Sequence, residues 1–184
     1  MTRAHVLCIT NQLLICCMLL TAITLFPSCT RGFKKGTYHT KHTHYRIVPP
    51  PKPWKSIRAR TANLAWLHKD GSLLMTNSQC KPSDAPLQAL ANHLLIGMSD
   101  IQVVHKNSLQ LSDRQALQLH INAKLDGVVR SLLILVLKKD GCVYDVVLVT
   151  APQHVAKHQK TYEEIVASFD AANRVKALKK QAVQ

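Results

Sequence analysis

Alternating apolar and polar residues predict most of the strands in the second half of the chain. Residues 117–125 have leucine, isoleucine or alanine at every odd position, a period of two that is typical of a strand with one buried face. Residues 128–137 are almost continuously apolar and predict a central strand that is covered on both faces. Residues 143–149 form a third such segment. Asp-Gly pairs separate the three segments and favour tight hairpin turns, so the pattern predicts an antiparallel meander.

Two helices are predicted on either side of this meander. Ser83 and Asp84 can cap a first helix, with Pro86 in its first turn, leucines at helical spacing and Gly97 at its end. The second helix is predicted to begin at the capping box Thr161-Tyr162-Glu163-Glu164. Both helices present one apolar face, which we expect to pack on the sheet.

The remaining strands complete the order of elements. Residues 64–66 and 73–75 flank Lys69-Asp70-Gly71 and predict a hairpin, whereas residues 101–111 predict a strand or a bulged strand. The order is strand, strand, helix, four strands, helix. It predicts an α+β fold in which two helices pack on an antiparallel sheet of about six strands.

The N-terminus has the features of an export signal. Arg3 precedes an apolar run over residues 13–26, which is shorter than the roughly 20 residues of a membrane-spanning helix. Phe26-Pro27-Ser28-Cys29 resembles a bacterial lipoprotein cleavage site at its last two positions and departs from it at the first two. We therefore expect residues 1–28 to be a signal peptide and Cys29 to carry the lipid. An uncleaved membrane anchor and an unprocessed start are the alternatives.

The predicted lipidation of Cys29 has consequences for localisation and partners. A lipid on Cys29 would hold the protein in membrane lipid of a bacterial cell envelope, outside the cytoplasm. Residue 30 is Thr rather than Asp, which favours the outer membrane over the inner membrane by resemblance to the enteric type of lipoprotein.

Most of the net charge of +14 lies just after this site. Residues 31–60 carry nine Lys or Arg residues and no acid, and residues 48–53 are rich in proline. Residues 29–60 are therefore predicted to form a basic, proline-stiffened linker, followed by one domain over residues 61–184. Arg31, Lys34 and Lys35 would lie near the membrane and attract an anionic envelope surface, unless they only keep the spacer solvated. Nucleic acid is an unlikely partner, because few aromatic residues accompany these charges.

Two cysteines remain for the domain, because Cys8, Cys16 and Cys17 lie in the signal and Cys29 would be acylated. In an oxidising compartment, Cys80 and Cys142 are expected to form a disulfide. The alternatives are two buried free thiols, or Cys142 as a nucleophile with one of the domain's histidines as its base.

Other candidate chemistry is sparse. His39, His42 and His44 could converge on Zn²⁺ or Cu²⁺, although the interleaved Lys41 favours a solvated linker instead. The sequence lacks a nucleophile elbow, a His-Glu-x-x-His helix, a phosphate-binding glycine loop and a Cys-x-x-Cys pair. We therefore expect no catalytic activity and no cofactor.

The element order resembles the PsbP-like fold over roughly residues 62–170: an early hairpin, a capped helix, a long strand pair around Asp140-Gly141 and a closing helix. Bacterial lipoproteins with this fold are similar in the stretch Cys142-Val143-Tyr144-Asp145. The resemblance implies a membrane-anchored envelope lipoprotein with a non-catalytic binding or assembly-support role. A metal- or small-ligand-binding protein is one alternative, and a thiol enzyme or hydrolase is the other.

Overall fold

The computed structural model of the protein describes residues 32–40, 43–81 and 83–171. The signal segment, Cys29, Arg31 and His42 therefore lie outside the described residues. The described elements are strands β1 (Gly32–Lys34), β2 (Thr37–His39), β3 (His44–Arg46), β4 (Lys55–Ile57), β5 (Leu64–Leu67), β6 (Leu73–Gln79), β7 (Met98–Leu111), β8 (Arg114–Leu125), β9 (Val128–Lys139) and β10 (Cys142–Thr150), helices α1 (Leu87–His93) and α2 (Val155–Ser168), and a 3₁₀ turn, Pro152–His154.

The predicted α+β architecture is confirmed, and the main sheet has seven strands in the order β4-β5-β6-β10-β9-β8-β7. All of its neighbours are antiparallel. Strands β7 to β10 form the predicted meander, and β7 is bulged, as expected for residues 101–111. A separate three-stranded sheet contains β1, β2 and β3.

Two of the predicted turns have the backbone that an Asp-Gly pair favours. Asp126 and Gly127 have φ values of 49° and 79°, and Asp140 and Gly141 have values of 52° and 75°. Two successive positive φ angles define the hairpin turn whose twist matches the flanking strands. Glycine takes this conformation without steric cost, so the sequence alone determines both turns.

Both faces are buried at the centre of the main sheet, as the continuous apolar run of β9 predicts. Ile134 and Val136 point to the face that α1 covers, where they pack with Ala91 and Leu95. Leu133, Leu135 and Leu137 point to the opposite face, in a core completed by residues from β10 and α2: Tyr144, Val146, Leu148, Tyr162, Ile165 and Phe169. The alternation of β9 thus supplies both cores.

The described part of the segment predicted as a linker, residues 32–40 and 43–60, is folded, which corrects the linker interpretation of residues 29–60 there. Tyr38, Tyr45, Ile47 and Trp54 are buried in the core on the α2 side. The linker was predicted from the charge and proline content of this segment. In the structure, its described charged side chains are exposed, whereas Tyr38, Tyr45 and Trp54 point into the core. Among the described residues, the fold therefore begins at Gly32 rather than at residue 61.

Tyr45 fixes this segment to the domain. Its hydroxyl lies 2.6 Å from that of Thr76 on β6, and its ring stacks on Phe169 with the ring centroids 5.2 Å apart. Arg46 forms an ion pair of 2.6 Å with Asp170. The proline run ends in a turn in which the Trp54 N–H donates to the Pro51 carbonyl (3.1 Å), so it is not a simple rod.

Both predicted helix starts were misplaced. Helix α1 begins at Leu87 without a side-chain cap, and Ser83 instead accepts a bond from the Ala85 N–H at 3.3 Å. Helix α2 begins at Val155, so Thr161 lies inside it and the capping-box prediction is wrong. The first buried residue of α2 is His158. Because histidine is not apolar, the first two turns show no apolar periodicity from which the helix start could be predicted. Among the described residues, no helix is long and apolar enough to cross a membrane.

The folded N-terminal segment gives a direct prediction. Tyr45→Ala should lower the free energy of unfolding by roughly 3–5 kcal/mol, because it leaves a large cavity and the Thr76 hydroxyl without its partner. Val48→Ala is the matched control, since Val48 is 61% exposed. Urea unfolding monitored by circular dichroism measures both. A Tyr45→Ala variant as stable as the wild type would restore the linker interpretation.

Candidate functional site

A cluster of histidines surrounds Asp70, where the β5–β6 hairpin meets the start of α2. The hairpin turn is closed by a bond from the Gly71 N–H to the His68 carbonyl (3.0 Å). The hydroxyls of Ser72 and Thr150 lie 2.7 Å apart and join the turn to the end of β10. The chain then runs through the 3₁₀ turn into α2, which brings His154 and His158 beside Asp70.

The Asp70 carboxylate contacts four side chains. One oxygen, Oδ1, lies 2.8 Å from His68 Nδ1 and accepts the Ser72 N–H at 3.1 Å. The other, Oδ2, lies 2.8 Å from His158 Nε2 and accepts a bond of 2.6 Å from Lys157 Nζ. His154 Nδ1 is farther away, 3.6 Å from the same oxygen.

Burial and neighbouring charges shift the pKa values of Asp70 and His158 in this cluster. His68 and His158 are buried, and the Trp54 ring packs against both at centroid distances of 5.2 Å and 5.1 Å. Burial raises the pKa of Asp70, but hydrogen bonds from Lys157, Ser72 and His158 outweigh it and hold that pKa well below its usual range. Burial also lowers the pKa of His158, against the opposing effect of Asp70. At neutral pH the site therefore contains a carboxylate beside a neutral His158.

The arrangement offers two kinds of chemistry. It fastens the β5–β6 hairpin to α2 through charged hydrogen bonds. It also brings one donor atom from each of His68, Asp70 and His158 within 4.8 Å of one another, a spacing that a single metal ion can bridge. The Ser72 hydroxyl is buried and bonded to Thr150, so the site does not present it as a nucleophile.

Sequence reasoning missed this cluster because it considered these histidines only as bases for Cys142. Two signals were available in the chain. His68 and Asp70 are two residues apart across a tight turn, and His154 and His158 are four apart, which places them on one side of a helix start. What the sequence did not show is that α2 begins at Val155 and that β10 delivers it to this hairpin.

The predicted disulfide is present. Cys80 and Cys142 form an S–S bond of 2.03 Å, with their Cα atoms 3.9 Å apart. It lies one position beyond the Gln79–Val143 pair of β6 and β10. The bond contradicts the interpretation of Cys142 as a nucleophile and as a free buried thiol, because its sulfur is not available.

The predicted histidine site is only partly described. His39 and His44 face each other across β2 and β3, with their ring centroids 5.1 Å apart, while His42 lies outside the described residues. The three-histidine metal site therefore stays a prediction. Lys34 and Lys35 are exposed at the end of β1 and in the turn that follows, a position compatible with an anionic surface.

Two surface concavities lie away from the Asp70 cluster. A cleft of about 190 Å³ beside the disulfide is lined by basic side chains, including Lys81, Arg114 and Lys139. A groove of about 450 Å³ runs between α1 and the edge strand β7, with Ile96, Ile101 and other apolar residues on its walls. The groove is the pocket between sheet and helix that a small-ligand role would require, but it brings few polar groups together.

Comparison with solved structures identifies the fold. The solution structure of cyanobacterial PsbP (CyanoP) from Synechocystis sp. PCC 6803 matches with a TM-score of 0.55 at 16% identity, over 80% of this chain and 99% of that one. The crystal structure of LpqN, involved in cell envelope biogenesis of Mycobacterium tuberculosis, matches with a TM-score of 0.57 at 13% identity, over 73% and 88%. No protein-family model and no curated protein sequence matches the chain.

A third similar structure is PA94 from Pseudomonas aeruginosa, a protein of unknown function, with a TM-score of 0.50 at 10% identity, over 74% of this chain and 96% of that one. Identities this low show a shared fold and nothing finer. The PsbP-like α+β fold that the element order predicted is thereby confirmed.

Three residues of the stretch Cys142-Val143-Tyr144-Asp145 have side chains with reactive or ionisable groups, and the structure shows where each of them lies. Cys142 is in the disulfide, and Tyr144 is in the core on the α2 side. Asp145 pairs with Asn77 on β6 and with Val136 on β9, and Val143 and Val147 flank it on the same face of β10. Burial raises the pKa of Asp145 from 3.8 to about 6.

This carboxyl predicts a pH-dependent stability. The fold favours the protonated form, so the stability contributed by Asp145 is complete below pH ~4 and is lost as the pH rises through about 6. The loss is roughly 3 kcal/mol at neutral pH. Asp145→Asn should therefore raise the free energy of unfolding at pH 7.5 and flatten its pH dependence between pH ~4 and ~7.

Urea unfolding at several pH values measures this effect, with Asp84→Asn as the control because Asp84 is exposed. If Asp145→Asn and Asp84→Asn shift the pH profile equally, then the buried carboxyl is not the cause.

Proposed function

We propose that this protein is a lipoprotein of the bacterial cell envelope, anchored through Cys29, with a non-catalytic role in binding or in supporting assembly at the membrane surface. The proposal is supported most directly by the Cys80–Cys142 disulfide. Disulfides persist in oxidising compartments and are rare in the bacterial cytoplasm, where thiols are kept reduced. The bond thus favours export, which the N-terminal signal also predicts.

The fold supports the same role. LpqN, one of the structures with this fold, is described as involved in cell envelope biogenesis. Two candidate nucleophiles are engaged in structural bonds, because Cys142 is oxidised and the Ser72 hydroxyl is buried against Thr150. These observations favour recognition over catalysis.

Because the described N-terminal segment is folded, a lipid on Cys29 would hold the domain close to the membrane rather than at the end of a long linker. If Cys29 carries the lipid, three residue steps separate it from Gly32 at the start of β1. An extended chain spans at most about 3.6 Å per residue, so β1 would be held within roughly 11 Å of the anchored cysteine. Lys34 and Lys35 would then lie close to the lipid head groups, where each cation contributes about 1 kcal/mol of attraction to an anionic surface.

The anchor is tested by Cys29→Ser in the native host. We expect the wild-type protein in the membrane fraction, with an N-terminal peptide that begins at acylated Cys29 by mass spectrometry, and the variant released or unprocessed. Cys16→Ser is the matched control, since it changes a cysteine inside the signal and should leave lipidation intact. A wild-type chain that begins at unmodified Met1 and has free Cys80 and Cys142 thiols would overturn the proposal.

A further inference from the structure

We propose that His68, Asp70, His154 and His158 form a binding site for one divalent transition-metal ion of the Zn²⁺ class. This site differs from the one predicted on His39, His42 and His44. It goes beyond the proposed envelope function, since a lipoprotein could have that function with or without a metal.

The donor set matches this class of ion. Imidazole nitrogen and carboxylate oxygen are ordinary Zn²⁺ ligands, at about 2.0–2.2 Å, which places the donor atoms of a tetrahedral site about 3.3 Å apart. Asp70 lies 2.8 Å from a ring nitrogen of both His68 and His158, and the donors of all three residues lie within 4.8 Å of one another. Coordination would require His68 Nδ1 to give up the bond that it accepts from the Asp70 N–H (3.3 Å), and small side-chain rotations would then bring the donors to coordinating distances.

His154 provides the independent observation that points to a ligand. Its Nδ1 atom is buried and has no hydrogen-bond partner among the described residues, and it lies 3.6 Å from Asp70 Oδ2. A buried polar atom without a partner costs free energy, so its presence calls for an explanation. A metal ion bound between His154 and Asp70 would accept the lone pair of His154 Nδ1. His154 would then be the fourth ligand, after His68, Asp70 and His158.

Lys157 already places a positive charge beside the Asp70 carboxylate. Its ammonium lies 2.6 Å from Asp70 Oδ2, and the side chain is 48% exposed. A cation at this oxygen is therefore compatible with the fold, and Lys157 can move into solvent when another cation replaces it. Metal binding would thus exchange one positive charge for another on the same carboxylate.

The surroundings keep the ligands in place. The Ser72 N–H bonds Asp70 Oδ1, which orients the carboxylate toward the helix. Trp54 packs on both His68 and His158 and forms an apolar wall beside them. Such outer contacts orient the ligands and limit access of water in metal sites.

The test is isothermal titration of the metal-stripped full-length protein in detergent with ZnCl₂. We expect one Zn²⁺ per chain at micromolar or tighter affinity. His158→Ala should weaken binding at least about 100-fold, and His154→Ala about 10-fold, because each removes a ligand. Lys157→Gln should tighten binding about fivefold, because it removes the competing cation.

His154 and Lys157 are partly exposed, so these two variants keep the test informative if His158→Ala fails to fold. His93→Ala, at an exposed histidine on α1, is the matched control and should bind as the wild type does. No binding at 100-fold excess of Zn²⁺ over protein would overturn the proposal. So would binding that is unchanged in both His154→Ala and Lys157→Gln, or that is lost only when His39, His42 and His44 are replaced.

Discussion

The pairing of β6 with β10 is the constraint on which the rest of the structure depends. Every other pairing in the seven-stranded sheet of the described residues joins strands that follow one another along the chain. β6 and β10 are instead separated by α1 and by three long strands, and their register runs from Gln79–Val143 to Leu73–Val149. This one non-local ladder joins the β4–β6 half of the sheet to the β7–β10 meander.

At each end of this ladder, the residue pair that follows next in register is linked through its side chains. Cys80 and Cys142 form the disulfide at one end, and the hydroxyls of Ser72 and Thr150 are 2.7 Å apart at the other. The disulfide closes a long loop, for which the chain-entropy model gives about 4 kcal/mol of stabilisation. The buried Ser72–Thr150 bond fixes the hairpin that carries Asp70 beside the residue from which β10 leads into α2. The histidine cluster exists because these two segments meet there.

The sequence predicted what local chemistry controls. The alternation of β8, the apolar run of β9 and the Asp-Gly turns follow from short-range rules, and each is present in the structure. The disulfide was predicted by counting the cysteines that lie outside the predicted signal peptide and lipidation site. The helix starts were wrong because α1 has no side-chain cap and because the first inward residue of α2 is His158, which no apolar pattern includes.

The larger error concerned residues 29–60, where charge and proline outweighed a few aromatic residues. Tyr38 and Tyr45 pair across two short strands, and both are buried in the core on the α2 side, where Tyr45 stacks on Phe169. The Asp70 cluster was not predicted for the same reason: its members come from a hairpin and a helix that are distant in the sequence, and Asp70 and His158 are 88 residues apart. Contacts of that range depend on the β6–β10 register.

Hydrogen–deuterium exchange of the wild type and of a Cys80→Ser/Cys142→Ser variant tests this dependence most directly. If the disulfide-linked pairing of β6 with β10 holds the β4–β6 half of the sheet to the β7–β10 meander, the variant should lose protection from exchange mainly in β5, β6 and the turn around Asp70. The β8–β9 hairpin should stay protected, since its own local pairing is intact. Equal loss in every strand, or unchanged protection in β6, would show that the ladder is not the element on which the sheet depends.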